Sequence, residues 1–396
     1  MSRSLLLRAT LLYLAVRLVS GVLLWHASAG QVPYPAWTGP HPGYLDMTVL
    51  WDGSWYRKIA EGGYPATLPL DPDGQVSQNA LAFFPVYPLL CRGLMALTGL
   101  SFPLVGSTVS LLLGLAAALV IVALFVRRMS PSVALGAMLV WAAFPSSPVL
   151  QIAYTESLAC LVVAGWLWLV VERRWLGAGA LALLVGLSRP IAAPLCIVLA
   201  VAFVARWRRR DEAPLRRPEL VRMGASAVGA VLAVVLWPAI VAWRTGVPDA
   251  FTQTQAAWRA DHAIQWFSGW LSITEWALRD TPRPVVYAPV LLTGVVAGLM
   301  TAVLGPWARR LGPELRAWSL AYPAYLAVAI DPFTSVFRFA LPLFSLGAVL
   351  IGGARPEGPS RWWVARTAAL VVVGIALQVL WIDKLLVFHP PTDYPP

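Results

Sequence analysis

The chain has 396 residues, of which 59% are hydrophobic and 12% are charged, and its formal net charge is +11. Soluble domains carry about 25% charged residues, so this composition excludes an ordinary soluble protein. The arginines occur in short runs between apolar stretches, which indicates membrane topology and argues against a nucleic-acid-binding surface. The three cysteines are scattered, and they predict neither a disulfide framework nor a CxxC metal site.

Apolar stretches of roughly 20 residues recur along the chain, as expected of a helical membrane protein. We predict about eleven spans, at 5–25, 102–126, 131–149, 154–171, 175–188, 190–205, 222–243, 284–307, 314–330, 336–353 and 362–381. The first has no small-residue cleavage pattern, so it is interpreted as a retained helix rather than a signal peptide. The prediction is an all-α polytopic membrane protein with a single domain over 1–396.

Basic residues occur in every second connection between the predicted spans. These connections contain Arg3 and Arg8, Arg127 and Arg128, Arg173 and Arg174, Arg206 to Arg222, Arg309 to Arg316, and Arg355 to Arg366. Arginine-rich connections stay on the cytoplasmic side of a membrane. The alternation therefore predicts a plasma-membrane protein with its amino terminus inside and its carboxy terminus outside.

Two segments on the predicted outer side are long, at 26–101 and 244–283. Both are rich in tryptophan, which favours the membrane–water interface, so each is predicted to contain helices lying on the outer leaflet. Apolar residues at helical spacing predict one such helix over 47–59. Gly62 and Gly63 are expected to end it.

Polar residues cluster at the predicted outer ends of the spans. The clusters are Asp52 and Glu61, the Ala82-Phe83-Phe84-Pro85-Val86-Tyr87-Pro88 stretch, Tyr154-Thr155-Glu156-Ser157, Ser188-Arg189-Pro190, and Asp331 to Arg338. The two prolines of the second cluster oppose a regular helix there. Because the topology puts all five clusters on one side, we expect them to form one site.

Carboxylates and arginines at a lipid–water boundary suit glycosyl transfer from a lipid-linked sugar phosphate. A carboxylate can remove the proton of the attacking hydroxyl, and cationic donors can hold the charge of the leaving phosphate. In this hypothesis Asp52 is the base, and Arg189 and Arg338 are candidates for the phosphate.

These motifs also resemble a known family. The Trp51-Asp52-Gly53-Ser54-Trp55-Tyr56 stretch, Ala82 to Pro88, the Glu156 and Arg189 motifs, and the Ser335 to Arg338 region resemble the phosphatidylinositol-glycan class V (PIG-V) mannosyltransferases of the GT-C superfamily. The first two motifs are the specific ones, and the resemblance extends over nearly the whole chain.

The resemblance implies an inverting, metal-independent transferase that uses polyprenyl-phosphate mannose at the outer face, with Asp52 as base. Substrate contacts are then expected from Glu156, Arg189 and Arg338 and from the aromatic residues Trp51, Trp55, Tyr56 and Tyr87. Low lysine content indicates a bacterial coding bias. The expected acceptor is therefore a cell-envelope glycolipid, polysaccharide or glycoprotein, with no cofactor, no metal and no nucleic acid.

Each site residue also has a simpler interpretation. Asp52 before Gly-Ser could be a helix N-cap, and Glu156 could serve the dipole of its helix instead of a sugar hydroxyl. Arg189 could extend to the interface, while Arg338 requires either a phosphate or Asp331 as a partner.

The remaining polar residues carry weaker signals. Asp71 and Asp73 resemble a solvated turn more than a metal site. The four histidines have no metal-ligand spacing, although His41 lies near Asp52 in the sequence. The tryptophans of 258–276 are expected to anchor the segment at the interface, with sugar stacking as a second role.

Two other functions remain open. A GT-C transferase of a different lipid-linked sugar would leave the same sequence pattern. A transporter or flippase is the rival from another class, but it predicts polar residues at the middle of the bilayer, whereas these spans are apolar at their centres.

Overall fold

The computed structural model describes residues 1–34, 38–39, 41–259, 266–330, 332–390 and 394–396. Within these ranges the chain is helical, with an isolated bridge between Leu70 and Val76 in place of any strand. The α-helices are α1 (Arg3–Ser28), α2 (Tyr44–Met47), α3 (Asp52–Gly62), α4 (Val86–Thr98), α5 (Phe102–Phe125), α6 (Pro131–Ala142), α7 (Glu156–Val171), α8 (Trp175–Gly186), α9 (Ala193–Arg208), α10 (Arg217–Thr245), α11 (Ala250–Ala257), α12 (Ser268–Ala277), α13 (Pro284–Leu304), α14 (Gly312–Ala329), α15 (Val336–Phe339), α16 (Ser345–Leu350) and α17 (Trp363–Leu385).

Five helices of the described chain are long and apolar enough to cross a membrane, namely α1, α5, α10, α13 and α17. The other predicted spans coincide with shorter or broken helices. The all-helical class and a bilayer environment are therefore supported, while the count of eleven spans remains a prediction. The two long segments predicted to lie outside contain helices, α2 to α4 in the first and α11 and α12 in the second, while their location at the outer leaflet remains a prediction.

The predicted span 336–353 is broken. It contains α15, a 3-10 turn and α16, because Pro342 prevents a continuous helix. Two buried indoles stabilise the break: Trp141 donates to the carbonyl oxygen of Leu341 at 3.0 Å, and Trp318 donates to that of Pro342 at 2.9 Å. Side chains thus replace the backbone hydrogen bonds that an apolar environment would leave unmade.

A second break divides the predicted span 131–149. Helix α6 ends at Ala142, and a 3-10 helix follows at Ser147–Gln151. The buried guanidinium of Arg17 donates to the carbonyl oxygens of Ala142 and Ser147. An arginine from α1 therefore satisfies acceptors at the carboxyl end of α6, where the helix dipole also favours a positive charge.

Helices α8 and α10 pack with their backbones in direct contact. A Cβ atom on Gly229 would lie 2.6 Å from the carbonyl oxygen of Gly179, closer than Cβ atoms approach in real structures. Small residues at this contact allow the approach that packing between membrane helices requires.

Gly229→Ala is expected to destabilise the protein by about 1–3 kcal/mol, because the added methyl group must push α8 away from α10. Gly224→Ala, on the same helix, is the matched control, since a Cβ atom there would meet nothing within 4 Å. We expect that control to be neutral or slightly stabilising. Chemical denaturation of the purified protein in detergent measures both, and equal stability of the two variants would contradict the packing argument.

In the first long segment, the prediction of one continuous helix over 47–59 is wrong. The chain forms α2 and then α3, which begins at Asp52, with an irregular stretch between them. The cause is Trp51, whose backbone has φ 53° and ψ −119° and cannot continue a right-handed helix. The predicted end is confirmed, because Gly63 follows α3 with φ 82°.

The expectation that 82–88 opposes a regular helix is also wrong in part. Helix α4 begins at Val86 and includes Pro88 in its first turn. A proline is tolerated there because the first N–H groups of a helix have no partner within the helix.

Four of the six arginine-rich connections contribute residues to one cavity. A cavity of about 290 Å³ is lined by Arg127, Arg128, Arg173, Arg206, Arg209 and Glu314. These residues come from connections that the sequence places on the cytoplasmic side. Their convergence is compatible with the predicted alternation, while the topology and the orientation of the chain in a membrane remain predictions.

Candidate functional site

Two arginines and two carboxylates from four separate segments meet in one ionic cluster. Arg338 bonds Asp52 Oδ2 through Nη2 at 2.6 Å and Glu156 Oε1 through Nη1 at 2.7 Å. Arg189 Nη1 lies 2.6 Å from the same Glu156 oxygen. The structure therefore brings together four charged residues that the sequence analysis placed on one side of the membrane, while their roles in a site remain predictions.

The four side chains differ in their exposure. Glu156 is 1% exposed and Arg338 5%, whereas Arg189 is 13% and Asp52 22% exposed. The formal charges cancel, which is how buried charges are tolerated in an environment of low polarity. Asp52 is consequently the carboxylate of the cluster that a substrate can reach.

The backbone before Asp52 is strained. Trp51 is the residue preceding α3, and its positive φ lies outside the regions that bulky residues normally adopt. Such a conformation costs about 1–3 kcal/mol and is typical of functional sites. The interpretation of Asp52 as an N-cap is wrong, because Trp51 holds the cap position and the Asp52 carboxylate bonds Arg338 instead.

The strained turn is held against the segment that carries Glu156. The backbone N–H of Ala153 donates to the carbonyl oxygen of Thr48 at 2.9 Å. The Tyr154 hydroxyl donates to the carbonyl oxygen of Leu50, also at 2.9 Å. These two bonds fix the start of α3 relative to the start of α7, and therefore the distance between the two carboxylates.

Two aromatic rings contact the arginines, and one of them, Phe339, lies outside the clusters that the sequence analysis assigned to the site. The guanidinium groups of Arg189 and Arg338 lie 4.9 and 4.8 Å from the centre of the Phe339 ring. Arg338 also lies 5.4 Å from the ring centre of Tyr154. These contacts stabilise the cations and orient them. The sequence feature that could have identified Phe339 is its position next to Arg338.

Two predicted substrate contacts are buried and already hydrogen bonded. The Tyr87 hydroxyl donates to the carbonyl oxygen of Gly106 at 2.8 Å, and the Tyr56 hydroxyl pairs with Thr155 at 3.0 Å. Burial raises the pKa of the Tyr56 phenol, so it stays protonated. These contacts favour a supporting role for both tyrosines.

The predicted contacts Trp51 and Trp55 are half-buried. The Trp55 ring stacks on Phe83 with centres 5.7 Å apart and meets the edge of Trp258 at 5.3 Å. The two long segments therefore touch through tryptophans, beside the helix that begins at Asp52. The Lys58 ammonium lies 4.0 Å from the centre of the Trp55 ring, so this ring is already packed against protein groups, and its contact with a sugar remains a prediction.

The sequence analysis expected either a phosphate or Asp331 as the partner of Arg338, and this choice was incomplete. Its partners in the structure are Asp52 and Glu156, whereas Asp331 lies outside the described residues. Arg338 also donates through Nε to the main-chain oxygen of Pro396 at 2.6 Å. The sequence carried no signal for this contact, because the two residues are joined only by the fold.

The Asp71 carboxylate belongs to a turn. Its Oδ1 accepts from the backbone N–H groups of Asp73 at 3.0 Å and Gln75 at 2.8 Å, as the solvated-turn interpretation predicts. Among the residues that the structure describes, no group of three His, Cys, Asp or Glu side chains is arranged to hold a metal ion. His262 is outside the described ranges, and His41 is within them.

Comparison of the chain with protein-family models, with curated proteins and with solved structures finds no match.

Glu156→Gln is expected to destabilise the protein by about 3–5 kcal/mol, because it leaves the buried Arg338 and the partly buried Arg189 with a single carboxylate. The matched control is Glu61→Gln, which breaks the exposed Arg57–Glu61 pair of 2.9 Å and should cost less than about 1 kcal/mol. Denaturant unfolding in detergent measures the difference. If both variants lose the same small amount, the buried cluster does not stabilise the fold.

Proposed function

We propose that this protein is a GT-C-type membrane mannosyltransferase that moves mannose from a polyprenyl-phosphate donor to an extracytoplasmic cell-envelope acceptor. The observation that carries the proposal is the pairing of the partly exposed Asp52 with the buried Arg338, at 2.6 Å. It combines a candidate base and a candidate phosphate-binding cation in one site, on a chain with several membrane-length helices.

In the proposed reaction, the acceptor hydroxyl oxygen attacks the anomeric carbon of the donor sugar and its proton passes to Asp52. The bond from that carbon to the phosphate oxygen breaks, and its electron pair leaves with the polyprenyl phosphate. Asp52 Oδ2 is held by Arg338, which leaves Oδ1 to accept the proton. A single displacement inverts the anomeric centre, so a β-linked donor gives an α-linked product.

The other charged residues have distinct proposed roles. Arg189 and Arg338 hold the leaving phosphate by charge-assisted hydrogen bonds. Glu156 keeps both guanidinium groups in place through Oε1. Its Oε2 is buried and, within the described chain, has no hydrogen-bond partner, so a sugar hydroxyl would satisfy it.

The proposed position of the start of the lipid chain is beside Arg189. A cavity of about 180 Å³ extends from this residue and is otherwise lined mainly by apolar side chains, including Phe84, Val234 and Phe251. A cation at the end of an apolar cavity suits a molecule with a phosphate joined to a hydrocarbon chain.

The rival function is transport. A transporter is expected to place its charged residues on broken helices at the middle of the bilayer. Helix α15, which carries Arg338, does belong to a broken helix, so this alternative rests on a specific observation. The test below separates the two functions, because a transporter moves a lipid-linked sugar without breaking its glycosidic bond.

Asp52→Asn is expected to reduce sugar transfer by about 10²–10⁴-fold, because the amide cannot take the acceptor's proton. Purified protein is incubated with labelled polyprenyl-phosphate mannose and an envelope lipid extract, and label in the acceptor fraction is measured. Asp73→Asn, in an exposed turn, is the matched control and should retain activity.

Transfer from another lipid-linked sugar but not from mannose would change the substrate and keep the reaction class. Full activity of Asp52→Asn would refute the role of Asp52 as the base. Movement of intact donor across a vesicle membrane, with no transfer from any lipid-linked sugar, would favour the transporter.

Transfer is expected to persist in excess EDTA, because the proposed site neutralises the leaving phosphate with arginine side chains. The measurement compares initial rates with EDTA, without it and with EDTA plus added Mg²⁺. A loss of activity that added Mg²⁺ restores would show that a divalent cation takes part.

A further inference from the structure

The side chains of Thr334, Ser335 and Arg338 donate hydrogen bonds to main-chain oxygens of Pro395 and Pro396. The main-chain oxygen of Pro396 accepts from Arg338 Nε at 2.6 Å and from Ser335 Oγ at 2.9 Å. The Thr334 hydroxyl donates to the carbonyl oxygen of Pro395. Donors from a single turn of chain therefore surround two neighbouring acceptor oxygens.

The segment is held in this place by packing as well. Pro396 is buried, and the Tyr394 ring meets the edge of Phe333 with centres 5.3 Å apart. The segment is thus packed against the turn that leads to Arg338.

From these contacts we infer that Thr334, Ser335 and Arg338 form an oxyanion-binding subsite for the phosphate of a lipid-linked substrate, and that residues 394–396 compete for it. The inference deepens the proposed function and rests on it for the identity of the substrate. Its new elements are the two hydroxyl groups and the competing segment.

The chemistry of the donors favours phosphate. A guanidinium N–H and two hydroxyls provide three hydrogen-bond donors, and a phosphate presents several strong acceptors in a compact group. The main-chain oxygen of Pro396 meets Arg338 Nε and Ser335 Oγ with one acceptor atom, whereas a phosphate offers several acceptor atoms to the same donors.

The subsite lies beside the proposed base. Arg338 bonds Asp52 through Nη2 and Pro396 through Nε, so both acceptors contact one guanidinium. A phosphate oxygen in the position of the Pro396 oxygen would therefore lie next to Asp52. That placement suits a leaving group whose sugar is attacked by a hydroxyl that Asp52 deprotonates.

Competition follows from the geometry. The Nη1 and Nη2 groups of Arg338 bond Glu156 and Asp52, and its Nε bonds Pro396. A phosphate can use Nε only when the Pro396 oxygen leaves it. Weakening the hold of the segment should therefore strengthen phosphate binding.

The test measures binding of farnesyl phosphate to the purified full-length protein in detergent, by tryptophan fluorescence, with farnesol as the ligand that lacks phosphate. Ser335→Ala and Thr334→Val are expected to weaken farnesyl phosphate binding by about tenfold each, because each removes a hydrogen bond to a charged group. Farnesol binding should not change. Tyr394→Ala, or removal of 394–396, should strengthen farnesyl phosphate binding.

Matched variants control for folding. Ser335→Thr retains a hydroxyl and should restore affinity, and Ser272→Ala removes a hydroxyl from α12 and should have no effect. Unchanged affinity in both Ser335→Ala and Thr334→Val would overturn the subsite. Weaker binding after removal of 394–396 would overturn the competition, because it would make the segment part of the binding site.

The binding assay also separates this inference from the proposed function. If farnesyl phosphate binding depends on the two hydroxyls but the protein transfers no sugar, the subsite is supported and the transferase function is refuted. Active transfer with a donor KM that Ser335→Ala and Thr334→Val leave unchanged would keep the transferase and reject the subsite.

Discussion

A charge in an apolar environment must be compensated locally, and Arg338 is where this constraint acts most strongly. The residue lies in an apolar stretch, between Phe337 and Phe339, and is almost fully buried. Its stability depends on carboxylates that come from distant parts of the chain, Asp52 from one long segment and Glu156 from the start of α7. One arginine thus joins parts of the molecule that local structure would leave separate.

The irregular backbone around this residue follows from the same constraint. Arg338 can enter the cluster because the helix around it is broken, and the break is tolerated because Trp141 and Trp318 donate to the freed carbonyl oxygens. Arg17 does the same for the end of α6. Polar side chains therefore replace backbone hydrogen bonds where the path of the chain must depart from a helix.

The strained turn at Trp51 also depends on contacts between distant segments of the chain. Without tertiary contacts a bulky residue with positive φ would relax, and α2 and α3 could join into one helix. The bonds from Ala153 to Thr48 and from Tyr154 to Leu50 hold the turn open. The carboxylate of Asp52 then faces Arg338 while keeping some contact with solvent, which is compatible with its proposed role as a base.

Periodicity, composition and the spacing of arginines determined the helical class, most helix positions and the four residues of the charge cluster. These features were readable because each depends on local sequence: apolar runs mark helices, and charged residues within or beside them stand out. The tertiary structure alone decided the partners of Arg338, the breaks at 142–147 and 339–345, and the contact between Arg338 and Pro396. The physical reason is that a hydrogen bond or ion pair between distant segments leaves no periodic trace in either segment. The turn at Trp51 belongs to the same group, since its conformation is imposed by contacts from a segment about 100 residues away in the chain.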